Sequence, residues 1–177
     1  PGAIEKSVDK YFNGGEITLG RNLLIIKVAE VWIRRLIETE ISETETRAEK
    51  LTIIALEETL EKEMLLQDAQ SEERVIKLKG TADRIDRTGN QIRIIDYKTG
   101  KVEQRDIKIK HPGDLFDQEK PLKEKAFQLL FYMLLARDND KIKQTQPGLK
   151  AGIISFRSLN QGFIPLLIEG TDIETAL

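Results

Sequence analysis

Residues 74–98 read RVIKLKGTADRIDRTGNQIRIIDYK, and the period of that stretch decides the fold. Val75, Ile76, Leu78 and Ile85 are interleaved with Lys77, Lys79 and Arg84, the near-alternation that marks a strand. Arg87-Thr88-Gly89-Asn90 is turn chemistry, and Gln91 to Lys98 returns as a second strand, so the stretch is a β-hairpin. Side chains two apart on a strand share a face, which puts Asp96 and Lys98 together. A turn centred near Thr88 to Asn90 sets Asp83 opposite about position 95, at the same end of the sheet as Asp96.

Outward from the hairpin, Leu51 to Glu57 is a continuous apolar, β-branched run, the pattern of a strand buried on both faces. Glu58 to Leu66 is compatible with either a strand or a helix. Further upstream, Leu23, Ile26, Val28, Trp32, Ile33, Leu36 and Ile37 recur at helical spacing between Asn22 and Glu40, with Trp32 among the core residues. Ser42 to Thr46 follows as a polar connector, and a short helix is expected over Ile4 to Phe12, ending at Gly14-Gly15.

Downstream, Lys101 to Glu119 has no sustained period and reads as a loop. Pro121 suits a first helical position, and Leu122 to Arg137 is a helix whose stripe is Phe127, Leu130, Phe131, Leu134 and Leu135. Two strands follow, about Leu149 to Phe156 and Phe163 to Ile168, joined through Asn160-Gln161-Gly162. The order predicts one α/β (α+β) layer domain spanning residues 1–177, a mixed sheet flanked by helices.

The chain has 177 residues, 40% hydrophobic and 33% charged, which fits one globular domain and excludes a wholly disordered chain. No apolar run is long enough for a membrane span, and no signal sequence opens the chain, so a cytoplasmic location is expected. Zero cysteines exclude disulfides, zinc ribbons and thiolate-held clusters, so any metal is a hard ion on oxygen ligands. The start at Pro1-Gly2-Ala3, without methionine, suggests a piece of a longer polypeptide. Net charge is −2 overall, but −7 over residues 1–73, +6 over 74–110 and −1 over 111–177. The basic middle reads either as a polyanion footprint or as a solvated, lysine-rich sheet edge.

Two carboxylates brought close repel one another unless a cation sits between them, and oxygen ligands select Mg²⁺ or Mn²⁺. Such an ion activates water, and Lys98 beside it can hold or deprotonate that water or stabilise the charged phosphorus centre. A lone Asp-x-Lys is far more often a surface pair than a site. The longer string is more specific: Gly80-Thr81-Ala82-Asp83-Arg84-Ile85-Asp86, then Ile95-Asp96-Tyr97-Lys98-Thr99-Gly100, then Gln128 and Tyr132 four apart on a helix.

Over about residues 50–167 these motifs resemble the RecB branch of the PD-(D/E)XK nuclease superfamily, which includes the AddB-type nucleases. The resemblance implies a restriction-endonuclease-like fold and metal-dependent DNA phosphodiester hydrolysis in repair or recombination, with a helicase subunit or fused helicase-like domain as partner. Its alternative is a catalytically inactive module of the same fold that binds DNA or a helicase. It implies that Asp83, Asp96 and Tyr97 form the metal site, that Lys98 is catalytic, and that Gln128 and Tyr132 border it. Lys77, Lys79, Arg84, Arg93 and Lys101 head the candidate phosphate contacts, with Arg87, Arg105, Lys108 and Lys110 behind them. One departure stands out. The family commonly has a metal-ligating His on a helix before the hairpin, whereas His111, the only histidine here, follows it and reads as a surface residue. A ligand upstream of Pro1 or a degenerate site is then expected, and with it weak metal binding and weak activity of these 177 residues. Glu57 and Asp86 read as strand-end residues rather than ligands.

Overall fold

The structure, a computed structural model, describes residues 7, 19–67, 72–115, 123–143 and 148–169. The expected helix over Ile4 to Phe12 lies outside these, except Ser7, which is helical; Gly14-Gly15 and Pro121 also lie outside. The chain divides into two compact units, Pro1–Thr46 and Arg47–Leu177.

The first unit is dominated by helix α1, Gly20–Arg47. The Ser42 to Thr46 run, expected as a connector, is its last part. Hydroxyl groups explain the difference: Thr44 donates to the Glu40 carbonyl at 2.6 Å and Thr46 to the Ser42 carbonyl at 2.7 Å. Such bonds to the preceding turn satisfy polar β-branched side chains inside a helix. Ala48 follows at φ 52°, a left-handed residue that ends the helix. Trp32 is half-buried, and Ile26 is the one buried residue of α1.

The second unit is built on a five-stranded mixed sheet of order β1-β2-β3-β5-β6. Its strands are β1 Leu51–Gln67, β2 Glu73–Thr88, β3 Gln91–Lys98, β5 Gly148–Ser155 and β6 Phe163–Pro165. All neighbours run antiparallel except β3 and β5. Thr88 pairs with Gln91, closing a two-residue turn with Gly89 at φ 56°, the positive first position of a type II′ turn. The register pairs residues whose numbers sum to one more than the sequence predicts. A separate pair, β4 Lys108–Ile109 with β7 Leu167–Ile168, orders part of the expected loop, which also contains two 3₁₀ turns. Among the described residues no helix is long and apolar enough to cross a membrane.

Glu58 to Leu66 proves to be strand, continuing β1. The Leu51 to Glu57 run is not buried on both faces: β1 is the edge of the sheet, and Ile53 and Leu56 are exposed. A run of apolar residues cannot by itself distinguish a central strand from an edge. A register shift at Ile53/Ala55 breaks the edge, which also discourages further strand pairing.

Helix α2, Glu124–Ala136, packs on the sheet and fills the core. Its buried residues are Ala126, Leu129, Tyr132, Met133, Leu135 and Ala136, so only Leu135 of the expected stripe is buried. Phe127 is exposed and stacks on Phe131 with ring centroids 6.2 Å apart. The stripe turns toward the alanines because they let the helix approach closely. Gly80 completes that approach, since a Cβ there would stand 3.1 Å from both Leu135 and Tyr132. Each fully buried Leu or Ile of this core, such as Leu60, Ile85, Ile94 and Leu129, contributes about 1.5–3 kcal/mol. A short helix α3, Asp140–Lys143, follows α2.

Gly152 on β5 sits where a Cβ would fall 2.4 Å from the Ile164 carbonyl oxygen, while a Cβ at Gly148 would meet open space. Gly152→Ala should therefore lower the unfolding free energy by about 1–3 kcal/mol, the usual range for overpacking. Gly148→Ala should be near neutral. Urea titrations of both variants check this, and equal midpoints would contradict the close β5–β6 approach.

Candidate active site

The β2–β3 ladder of paired residues runs from Thr88–Gln91 to Arg84–Ile95 and stops there. One residue further, Asp83 Oδ2 accepts the Tyr97 backbone N–H at 2.7 Å, so a side chain takes the place of a backbone carbonyl. The β1–β2 register is also interrupted here: Leu56 pairs with Arg84 and Glu58 with Ala82, but Glu57 and Asp83 form no pair. Glu57, exposed, adopts φ 50°, an uncommon conformation for a residue with a Cβ. Ala82 and Ile85 both belong to the core although three apart, so the alternation of β2 slips at Asp83. Irregularities of this kind re-aim side chains.

Asp96, only 3% exposed, is the centre of the cluster. Gln128 of α2 donates through Nε2 to Asp96 Oδ1 at 3.0 Å and to the Tyr132 hydroxyl at 2.8 Å. Lys98 Nζ donates to Gln128 Oε1 at 3.2 Å and lies 2.8 Å from Asp96 Oδ2. Burial pushes the Asp96 carboxyl above its ordinary value; Lys98 opposes this, and the nearby Asp83 charge reinforces it. Burial likewise raises the Tyr132 hydroxyl, which also feels both aspartates. Asp96, Lys98, Gln128 and Tyr132 thus form one connected group, and Asp83 lies near enough for its charge to act on Asp96 and Tyr132.

Tyr97 points its side chain away from that group. Its ring stacks on Phe156 at 5.5 Å, and its hydroxyl accepts from Arg84 Nη1 at 3.0 Å. The N–H and C=O of one strand residue point the same way, so its carbonyl oxygen, not its phenol, is turned toward the Asp83 side.

The phosphate-contact candidates fare differently. Arg84 and Arg93 are buried on Asp86, itself 0% exposed: Arg93 bonds Asp86 at 2.8 and 2.9 Å, and Arg84 Nη2 lies 2.6 Å away. This corrects both expectations, the surface role of the arginines and the strand-end role of Asp86. Lys77 and Lys79 are exposed but pair with Glu61 at 2.6 and 3.5 Å. Gly80 faces α2, so its neighbour Lys79, and Lys77 with it, lie on the other side of the hairpin from Gln128. Lys101 pairs with Glu103 at 2.5 Å, as does Arg105 at 2.8 Å. Lys108 pairs with Glu169 at 2.5 Å, and His111 is exposed. Much of the basic segment is therefore already paired, in part with Glu61 and Glu169 from outside it.

A model of the PD-(D/E)XK nuclease superfamily matches residues 4–167. The chain belongs to the PD-(D/E)XK nuclease superfamily. No curated protein matches it significantly. The match begins well before residue 50 and takes in α1, which the sequence motifs alone had not included.

Superfamily members typically use divalent metals, and the donors present suit a hard cation. Asp96 Oδ2 is buried without an aligned hydrogen bond, although Lys98 Nζ stands beside it, and Asp83 lies close enough to raise the Asp96 carboxyl. Among the described residues, no group of three or more His, Cys, Asp or Glu side chains comes together. Sequence reasoning missed Ser155, which is fully buried opposite Lys98 and donates to the Gly100 carbonyl at 2.8 Å, fixing the turn after the lysine. Nothing in the sequence singles out that serine.

The raised Asp96 carboxyl gives a testable pH dependence. Its folded value lies above the unfolded value near 3.8, so its contribution to stability is full below that value and is lost as pH rises through the folded one. Asp96→Asn has no such loss. In EDTA, the stability of Asp96→Asn relative to wild type should improve as pH rises from about 4 to about 7. Urea titrations across that range check the trend; a constant or falling difference would contradict the burial argument.

Proposed function

We propose that this chain hydrolyses DNA phosphodiester bonds with Mg²⁺ or Mn²⁺ held by Asp83 and Asp96, as a RecB-like exonuclease of DNA repair or recombination. The observation that carries the reading is the placement of Lys98. Its ammonium, held by Asp96 and Gln128, is fixed at the edge of the carboxylate pair. In the net reaction water adds to phosphorus and the P–O bond to the leaving oxygen breaks, giving a phosphomonoester and a hydroxyl. A bound divalent ion supplies charge neutralisation at the phosphoryl oxygen and a more acidic water. Lys98 adds a fixed positive charge against the charge that builds on phosphorus oxygens, and Gln128 keeps that charge from drifting. Tyr97 contributes its backbone carbonyl to the metal side. The motif spacing supports the RecB branch and, with it, a helicase subunit or fused helicase-like domain as partner.

Wild type should bind Mn²⁺ and cleave linear DNA. Asp96→Asn should abolish both, while Lys98→Ala should retain Mn²⁺ and lose cleavage by about 10²–10³-fold, the loss seen when one preorganised charge partner is removed. Calorimetry with Mn²⁺ alone and a gel assay on end-labelled DNA separate these effects. DNA binding without Mn²⁺ binding or cleavage by wild type would favour a non-catalytic DNA-binding module instead.

A further inference from the structure

Asp83 is held by a backbone N–H, so its direction depends on where Tyr97 sits. On the β2 side no paired backbone fixes residues 96–98, because the ladder has ended at Arg84–Ile95. On the other side, β3 remains paired with β5 through Tyr97–Ile154 and Lys98–Ser155. A strand anchored along one edge only can tilt about that edge. What opposes such a tilt at Tyr97 is its side chain, stacked on Phe156 and bonded to Arg84.

Arg84 is itself held on Asp86, by charge rather than by an aligned hydrogen bond. Its Nη2 lies 2.6 Å from Asp86, and Asp86 is gripped from the opposite strand by both Nε and Nη2 of Arg93. Arg93 in turn lies over the Phe163 ring, 5.2 Å from its centroid. A buried cluster of this kind is a poor source of stability, since desolvation offsets most of the attraction between the charges. What it offers is direction: planar guanidinium groups tolerate little rotation once two of their nitrogens are engaged.

We propose that Arg84 and Tyr97 are positioning residues, a clamp seated on Asp86 and Arg93 that holds the Tyr97 amide where it aims the Asp83 carboxylate at the metal side. The inference rests on the nuclease reading of the same site. Neither side chain touches substrate in this account; both act through the Tyr97 backbone and the Asp83 carboxylate it holds.

Tyr97→Phe removes the hydroxyl and keeps the ring on Phe156, and Arg84→Met leaves Asp86 with its two bonds to Arg93, so both variants should fold. In each, amide exchange at residue 97 should quicken by about tenfold relative to Ile94, in metal-free protein. Mn²⁺ affinity and kcat on linear DNA should each fall by about 10–100-fold, as for other outer partners of metal ligands, with KM unchanged. The double variant should be no worse than either single one, because both break one link. Wild-type exchange at residue 97 with wild-type Mn²⁺ affinity in both variants would overturn the proposal, as would losses that multiply in the double variant. If the unmodified chain neither cleaves DNA nor binds Mn²⁺, the nuclease reading fails, and exchange at residue 97 alone then decides whether the clamp exists.

Discussion

Tyr97 gives its backbone N–H to the Asp83 carboxylate where a continuing ladder would have supplied a carbonyl oxygen. Backbone donors in a protein interior need partners, so the acid is tied to the end of the paired region rather than left to point at random. The same interruption frees the end of β3 from β2 and lets Asp96 and Lys98 turn toward α2, where Gln128 meets both. A continuing ladder would give the Tyr97 N–H a backbone carbonyl and leave the Asp83 carboxylate without that anchor. The slip of alternation at Asp83 and the positive φ of Glu57 are the backbone costs of that arrangement.

The two faces of the β2–β3 hairpin do different electrostatic work. On the face toward α2, a buried carboxylate is left only partly compensated by Lys98, and its raised protonation shows the tension. On the opposite face, Asp86 is compensated by two guanidinium groups. An incompletely compensated carboxylate is where a divalent cation gains most, whereas a fully engaged one offers it nothing. That contrast explains why Asp83 and Asp96 are the metal candidates while Asp86, three residues from Asp83 in the same motif, is not.

Much of this arrangement is legible in the sequence. The hairpin, its turn and the shared face of Asp96 and Lys98 follow from alternation and turn chemistry, and the register was misread by a single residue. The buried arginines were not legible from composition, because Arg and Lys interleaved with apolar residues look like any wet strand face. The register did contain the signal: Asp86 and Arg93 are directly opposed across the turn, and opposite charges facing one another deserve to be paired before they are assigned to a ligand. The Ser42 to Thr46 run differs for a similar reason, since its polar residues look like a connector and hydroxyl bonding back along a helix leaves no mark in composition. The exposed β1 edge and the shifted stripe of α2 depend on what packs against them, which periodicity does not encode.

The same bookkeeping changes how a phosphate chain would meet this surface. A +6 segment suggests a broad basic footprint, but Glu61, Asp86 and Glu103 engage Lys77, Lys79, Arg84, Arg93, Lys101 and Arg105. Buried pairs are not exchanged for phosphate, because exposing Asp86 would leave a charge unpaired in the interior. Exposed pairs are exchanged at little cost, since a surface ion pair contributes about 0–1 kcal/mol. Of the five leading candidates, Lys77, Lys79 and Lys101 therefore remain able to change partner, as does Arg105 behind them, and of the three lysines only Lys101 adjoins the segment that carries Lys98. Under the nuclease reading, charge recognition close to the carboxylates would then be concentrated in Lys98 and its immediate neighbours in the chain rather than spread along the hairpin, so that the residues meeting a phosphate would be the ones that flank the acids.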